Sequence, residues 1–298
     1  MEKMDKDILD KYKKAGKIAI EARELARKKL KPGIKLLDLA DEIENKIIQL
    51  GGKIAFPVNL SLNEEAAHSV PSWRDTRTYE DGNIIKVDIG VHVDGYIADT
   101  AFSVSTNKED QKLIQATEEA LKEMIKLATP GTQIRELGKK AYEVITSYNL
   151  KPIVNLTGHS LGKYDLHAGI SIPNYDNNDK IELKEEMAIA IEPFATDGSG
   201  FVIEGKEGEV LKIDNIIPVR NGREIIKWVS IERKELPFAK RWIMNKFNPI
   251  RSKLAIDELI RKGVFHQYKV LREKAKGRVS QSEHTVIVAD KPIVTTQD

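Results

Sequence analysis

The sequence contains no cysteine. A disulfide-stabilised scaffold is therefore excluded, and any metal site must use nitrogen and oxygen ligands. No run of about 18 apolar residues occurs, so no membrane-spanning helix is expected. The first thirty residues hold no unbroken apolar stretch of the kind that a signal peptide requires. These absences predict a soluble protein of the cytoplasm.

A large excess of charge of one sign is also absent. The 298 residues carry a net charge of +2, so the composition gives no reason to expect sequence-specific binding to nucleic acid. Apolar residues make up 41% of the chain and charged residues 32%. This composition predicts a sizeable core with a strongly solvated surface, in one large domain or two ordinary ones.

The sequence repeats itself. Residues 32–47 align with 130–145 at an offset of 98, "VNL" at 58–60 recurs at 154–156, and 84–88 parallels 188–192. The periodicity predicts helices over residues 8–30 and 109–128, each followed by a second helix and then by strands. Three matches in one order indicate two similar halves. Their sheets would lie side by side with helices outside, and Asp88 and Glu192 would converge near a pseudo-twofold axis.

Residues 227–277 match neither half. Two helices are predicted there, the second of them capped by Asn248 with Pro249 at its first position. Because strand-like sequence returns at 280–294, we interpret this segment as a helical insertion. The chain as a whole, residues 1–298, then forms a single domain that contains this subdomain.

Two aspartates flank a predicted hairpin. Asp94-Gly95 is a strong two-residue turn signal, and it would place Val93 opposite Tyr96. Asp88 and Asp99 then share a face as diagonal neighbours, about 7–8 Å apart at the backbone. Gly90 would leave the space between them empty.

Paired carboxylates of this kind have three explanations: solvated acids on an exposed face, a shared proton, or a bound cation. Glu192, Glu283 and His159 each lie in or beside an otherwise apolar stretch, which favours a cation. Oxygen ligands with one imidazole suit Mn, Fe, Co or Zn. Five ligands exceed the needs of one catalytic zinc and suit two metals about 3.5–4 Å apart.

The motifs "VDIGVHVDGYIADTAFSV", "LTGHSLG", "AIAIEPF" and "SEHTV" resemble those of the methionine aminopeptidases of the pita-bread fold, an α+β architecture. The resemblance covers essentially the whole chain. It implies a metal-dependent hydrolase that removes N-terminal methionine, with two divalent ions bound by five residues: Asp88, Asp99, His159, Glu192 and Glu283. The helical segment before Glu283, together with "HAGISIPN" and "FPVNLSLNEEAAH", is similar to the type 2 enzymes in their short archaeal form. Ser282 departs from the family, which commonly has a bulky residue there.

The resemblance also implies roles around the metals. His68 would contact the scissile amide, His167 the carbonyl or developing oxyanion, and Glu192 would move a proton. The methionine pocket would be formed by Phe56, His68, Leu166, His167, Phe194 and Tyr268. The second residue of the substrate would be small. Peptides and nascent chains that begin with methionine are the implied partners. The basic segment 272–278 is either a solvated loop or a contact with the ribosome. We expect a monomer.

Three alternatives remain open. A Xaa-Pro dipeptidase or aminopeptidase of the same fold would share the five ligands. A non-catalytic pita-bread protein that binds ribosomes or RNA would have lost ligands, and all five types are present here. A creatine-type amidinohydrolase would need no metal.

Overall fold

The structure is a computed structural model that describes residues 5–297. Its helices are α1 (Lys6–Lys29), α2 (Leu36–Gln49), α3 (Gln111–Lys126), α4 (Ile134–Ser147), α5 (Arg223–Glu232), α6 (Lys240–Lys246) and α7 (Pro249–Arg261). Its strands are β1 (Lys53–Leu62), β2 (Glu65–Ala67), β3 (Ile84–Val93), β4 (Tyr96–Ser105), β5 (Lys151–Pro152), β6 (Gly158–Ser160), β7 (Ser171–Ile172), β8 (Ala188–Ile191), β9 (Phe194–Thr196), β10 (Val202–Ile213), β11 (Phe238–Ala239), β12 (Phe265–Glu273), β13 (Val279–Gln281), β14 (His284–Ile287) and β15 (Ile293–Val294). Among these described helices, none is both long and apolar enough to cross a bilayer.

The first half packs α1 and α2 against a sheet in the order β1-β3-β4. Ile18, Ala19 and Ala22 of α1 are buried against alternate residues of β3, including Val87 and Ile89. This packing follows from the two periodicities, because one face of the helix and one face of the strand are apolar. The helix predicted over residues 8–30 is confirmed.

The second half repeats the first in detail. Leu36 N donates to Arg77 O at 2.9 Å, and the matched Ile134 N donates to Ile181 O at 2.9 Å. In each half the helix pair covers the outer face of the strands. The predicted duplication is confirmed.

An insertion opens the second hairpin. β8 and β9 pair with β14 and β13 in one register, with Ile191 opposite His284 and Phe194 opposite Gln281. Where the first half has the turn Asp94-Gly95, the second half has residues 197–278. The helices of this segment occupy 223–261, and residues 265–273 form β12, paired with β10. The inserted segment predicted at about 227–277 ends close to the observed end but begins too late, and besides the two predicted helices, α6 and α7, the observed segment contains α5 and the strands β10 and β12. Residues 265–273 are half-buried and mostly polar, so they carried little helical or strand signal.

Two buried arginines attach the insertion to the first half. Arg241 forms an ion pair with Glu44 of α2. The guanidinium of Arg233 donates to Ile54 O at 2.7 Å and to Ala55 O at 2.9 Å, both on β1. The insertion therefore packs beside the strand that enters the centre of the molecule.

The two halves join between β4 and the β13–β14 segment. Ala101 and Glu283 form an antiparallel bridge, with Glu283 N donating to Ala101 O at 3.0 Å. The hydroxyl of Thr285 accepts from Asp99 N at 2.7 Å, and the hydroxyl of Thr100 donates to Glu283 O at 2.9 Å. This seam fixes the backbone of two acidic residues that are far apart in the sequence.

Candidate metal centre

The hairpin of the first half has the predicted register. Val93 lies opposite Tyr96, and Asp99 lies opposite Gly90. Asp94 and Gly95 have φ of 53° and 93°, the positive values that a type I′ turn needs at both central positions. Asp88 and Asp99 therefore project from the same face of the sheet.

The space over Gly90 is not empty, contrary to the prediction. Phe56 of β1 is the register partner of Gly90, and a Cβ built on Gly90 would lie 2.3 Å from its ring. The missing side chain admits an aromatic ring beside the aspartates. The prediction failed because it considered only the two strands of the hairpin and not the third strand of the sheet.

The five predicted metal-binding residues line one cavity of about 260 Å³: Asp88, Asp99, His159, Glu192 and Glu283. His159 Nε2 lies 3.7 Å from Asp99 Oδ2 and 3.7 Å from Glu192 Oε1. Candidate ligand atoms of Asp99, His159 and Glu283 all lie within 4.8 Å of one another. Residues from both halves therefore converge at the seam.

Burial and mutual repulsion make it unfavourable for the carboxyl groups of this cluster to ionise. Burial raises the pKa of Asp88 to about 7. Burial, followed by repulsion from the neighbouring carboxylates, holds the pKa of Asp99, Glu192 and Glu283 well above the usual range. Burial also lowers the pKa of His159 to about 3, so its imidazole is neutral. Four acids that resist ionisation beside a neutral imidazole form a site that a cation would stabilise.

The hydrogen bonding of the acids fits metal ions. One buried oxygen of each of Asp88, Asp99 and Glu283 has no hydrogen-bond partner among residues 5–297. Buried polar atoms are rarely left without a partner, and each needs an explanation. Divalent cations with oxygen and imidazole ligands supply that explanation, and the number of carboxylates is suited to two of them.

Two further histidines border the acids. Burial lowers the pKa of His68 to about 4, and its Nδ1 lies 3.3 Å from Lys269 O. Because a carbonyl only accepts, Nδ1 carries the proton and Nε2 has a free lone pair. The His167 ring lies 4.6 Å from the His159 ring, and although His167 is open to solvent on one side, desolvation by the cavity wall lowers its pKa as well. Both imidazoles are therefore neutral at physiological pH.

The rest of the cavity wall is mainly apolar. Phe56, Leu166, Phe194 and Tyr268 line it, as predicted from the resemblance, and the Tyr268 ring packs edge-on against His68 at 5.2 Å. The cavity lies near the lower limit of ordinary small-molecule pockets, which begin at about 300 Å³. The structure thus brings every predicted site residue to one place, and the space beside the acids suits one amino-acid side chain.

Sequence reasoning missed Gln281 and Asn59. Gln281 Nε2 donates to Glu192 Oε2 at 3.1 Å, which orients that carboxylate. The alternation of side chains along a strand could have predicted the place of Gln281, since residues 281 and 283 lie on the same face. Asn59 lies opposite Asp88 on β1 and lines the cavity, and nothing in the sequence announced that pairing. Ser282 points away from the acids, with its hydroxyl 2.9 Å from that of Thr117, so the departure noted there leaves Glu283 in the cavity.

Comparison with known proteins defines the class. Residues 10–231 match the family model of metallopeptidase family M24, and the chain therefore belongs to that family. A methionine aminopeptidase of Pyrococcus abyssi is 47% identical over 293 residues, which cover 97% of this chain and 99% of that protein.

Solved structures show the same fold. A thermophilic Arx1 superposes with a TM-score of 0.86 at 19% identity, covering 98% of this chain and 91% of that one. A methionine aminopeptidase of Thermotoga maritima superposes with a TM-score of 0.73 at 21% identity, covering 99% and 98%. The predicted pita-bread fold is confirmed.

Proposed function

We propose that the chain is a methionine aminopeptidase that hydrolyses the first peptide bond of chains beginning with methionine. The observation that carries the proposal is the buried cluster of four carboxylates and an imidazole, in which one oxygen of each of Asp88, Asp99 and Glu283 has no hydrogen-bond partner among the described residues. The similarity to methionine aminopeptidases over nearly the full length supports the same activity. Asp88, Asp99, His159, Glu192 and Glu283 would hold two divalent ions, of Co, Mn, Fe or Zn.

When bound, divalent ions lower the pKa of water and polarise a peptide carbonyl. The residues around them would position the substrate. Neutral His167, beside His159, donates a hydrogen bond toward the carbonyl oxygen as negative charge develops there. His68, with its proton on Nδ1, presents Nε2 as an acceptor for the N–H of the scissile amide.

Glu192 is the proposed proton carrier. Gln281 fixes its Oε2, so Oε1, on the side of His159, is the oxygen that can take a proton from the attacking water. A carboxylate in this position can hold that proton and then deliver it to the leaving amine. The backbones of Asp99 and Glu283 are fixed by the seam, which favours a purely ligating role for these two residues.

The side chain of methionine would occupy the apolar wall. An unbranched thioether adapts to a pocket bounded by Phe56, Phe194 and Tyr268 and makes favourable sulfur–aromatic contacts. The preference for a small second residue is proposed from the family resemblance alone. Leu166 and the two neutral histidines would complete the substrate site.

We assign the chain to the type 2 enzymes in their short form. Residues 197–278, inserted where the first half has a two-residue turn, support this assignment. We treat residues 1–298 as one catalytic domain with a helical subdomain at 223–261, acting as a monomer in the cytoplasm on nascent chains. Association with the ribosome would involve the basic loop at 272–278, although Arg278 there is already paired with Asp110.

The test is a pair of peptides assayed with the metal-loaded protein. Release of free methionine from Met-Ala-Ser without cleavage of Ala-Pro supports the proposal. Cleavage of Ala-Pro alone would identify a Xaa-Pro dipeptidase. Absence of both metal and peptide hydrolysis, with tight binding to RNA, would identify a non-catalytic protein of this fold.

A further inference from the structure

The loop between β6 and β7, residues 161–170, carries His167, and we call it the His167 loop. In this loop Tyr164 has a φ of 61°, in the left-handed region that residues with a side chain rarely adopt. Such a conformation persists only where the surrounding structure holds it, and it is found most often beside active sites. The contacts that hold Tyr164 in place therefore bear on the position of His167.

The turn of the first-half hairpin contacts Tyr164 from one side. Tyr164 N donates to Gly95 O at 2.8 Å. A Cβ built on Gly95 would lie 2.4 Å from the Tyr164 ring, so the ring packs directly on the glycine. Gly95 therefore serves two purposes: it permits the positive φ of the turn, and it admits a ring from the other half of the molecule.

Two further side chains surround the Tyr164 ring. The centre of the His92 ring, on β3, lies 5.3 Å from that of Tyr164 in an edge-to-face arrangement. His92 is buried, and its Nδ1 accepts from Gly95 N at 3.1 Å, so this histidine also fixes the turn. The Lys234 ammonium, from the insertion, lies 3.7 Å from the centre of the Tyr164 ring, in the geometry of a cation–π interaction. Three segments that are distant in the sequence therefore meet at one tyrosine.

The backbone that carries Lys234 is anchored on both sides. Arg233, the preceding residue, is buried and donates to two carbonyls of β1 at 2.7 and 2.9 Å. Leu236 N donates to Arg233 O at 2.9 Å, which closes a tight turn around Lys234. Leu236 itself is buried in the same apolar cluster as Leu161 of the His167 loop. The insertion therefore presents the Lys234 ammonium from a fixed place.

Tyr164 is linked to His167 through Asp165. Asp165 O accepts from Gly162 N at 2.8 Å, which closes the loop around Tyr164. The carboxylate of Asp165 accepts from His167 N at 3.2 Å. Because Leu166 and His167 line the cavity, the place of Tyr164 determines where this part of the cavity wall lies.

We propose that Tyr164 is a positioning residue that holds His167 where its imidazole can donate to the developing oxyanion, and that Lys234 of the insertion holds Tyr164 in turn. This inference rests on the proposed function, in which His167 is that donor. A donor to an oxyanion is effective when it is in place before the reaction, because moving it during the reaction costs part of its effect. A displaced His167 loop would therefore slow the chemical step more than it weakens the binding of the peptide.

The test compares three variants in the metal-loaded protein. Tyr164→Leu removes the ring, whereas Tyr164→Phe keeps the ring and its contacts. Tyr142→Leu is the matched control, because Tyr142 is an exposed tyrosine of α4 that does not line the cavity. Metal content and the kinetics of Met-Ala-Ser hydrolysis are measured on each variant.

Tyr164→Leu should lower kcat about tenfold or more, and it should change KM less than about threefold, with metal content unchanged. Tyr164→Phe should restore kcat to within about threefold of wild type. In a His167→Ala background, Tyr164→Leu should lower kcat by less than about threefold, because the donor that it positions is already gone. Losses that multiply in the double variant would overturn the proposal, since Tyr164 would then act on something other than His167.

Lys234→Met tests the contribution of the insertion. Loss of an exposed cation–π contact should lower kcat about two- to fivefold. Lys227→Met is the matched control, because Lys227 is an exposed lysine of α5. Equal kcat in the two lysine variants would overturn the role assigned to Lys234.

Hydrogen exchange measured by mass spectrometry separates this inference from the proposed function. The amides of residues 162–168 should exchange about tenfold faster or more in Tyr164→Leu than in Tyr142→Leu, and at the control rate in Tyr164→Phe. Unchanged exchange in Tyr164→Leu would overturn the proposal. Failure of the wild-type protein to release methionine would refute the proposed function, whereas the exchange rates would still decide whether Tyr164 holds the His167 loop.

Discussion

Replacing Arg233 with methionine should make the wall of the active-site cavity less rigid, although Arg233 itself does not line the cavity. The guanidinium is buried and donates to Ala55 O at 2.9 Å, Ile54 O at 2.7 Å and Pro237 O at 2.9 Å. Ala55 precedes Phe56 on β1, and Pro237 lines the cavity directly. Methionine preserves much of the volume but removes the guanidinium donor from these carbonyls.

The size of the effect follows from those carbonyls. A buried acceptor that loses its donor costs about 1–3 kcal/mol. Ala55 and Pro237 are buried and Ile54 is partly exposed, so the three together give about 3–5 kcal/mol. Burial of the guanidinium, which lowers the pKa of Arg233 to about 10, opposes part of this stabilisation in the wild type. We therefore expect the free energy of unfolding to fall by about 2–4 kcal/mol.

Denaturant unfolding and peptide kinetics measure the two consequences. The KM for Met-Ala-Ser should rise more than kcat falls, since Phe56 moves while the ligands stay fixed by the seam. Arg223→Met is the matched control, because Arg223 is an exposed arginine at the start of α5, the helix that Arg233 directly follows, and has one bond to a carbonyl, Val219 O. It should change the free energy of unfolding by less than ~0.5 kcal/mol. An equal effect of the two substitutions would refute the reasoning.

Three further predictions concern the centre itself. In chelator-treated protein, Asp88→Asn should gain stability relative to wild type as pH rises from 5 to 8. The pKa of Asp88 in the folded state, about 7, exceeds its value of ~3.9 in the unfolded chain, so the stability that protonated Asp88 gives the wild type is lost as the pH rises across that range. Melting temperatures of the two proteins that stay parallel with pH would contradict this. His167→Ala should lower kcat about 10²–10³-fold with metal content unchanged, as for loss of one oxyanion donor; a loss of metal would instead make it a ligand. Gly90→Ala should cost about 1–3 kcal/mol because its Cβ meets the ring of Phe56, and the second substitution Phe56→Leu should restore part of it; no rescue would locate the strain elsewhere.

The sequence predicts best where the signal is local. The turn Asp94-Gly95 determined its own register, which in turn placed Asp88 and Asp99 on one face. The duplication was visible because each half repeats the same helix breakers and strand ends. The symmetry of the two halves alone predicted that Asp88 and Glu192 would converge.

Pairings between distant segments were beyond such reasoning. The ring of Phe56 reaches Gly90 through a strand register that no turn specifies. β12 was missed because its half-buried residues show neither period clearly.

The most direct test of the central claim is metal analysis of wild type and Asp99→Ala, together with turnover of Met-Ala-Ser. Asp99 lies within reach of both His159 and Glu283, so it would contact at least one ion. We predict two divalent ions per wild-type chain, and loss of at least one ion and nearly all turnover in the variant. A variant that keeps both ions and full activity would show that the metals, if they are bound at all, lie elsewhere.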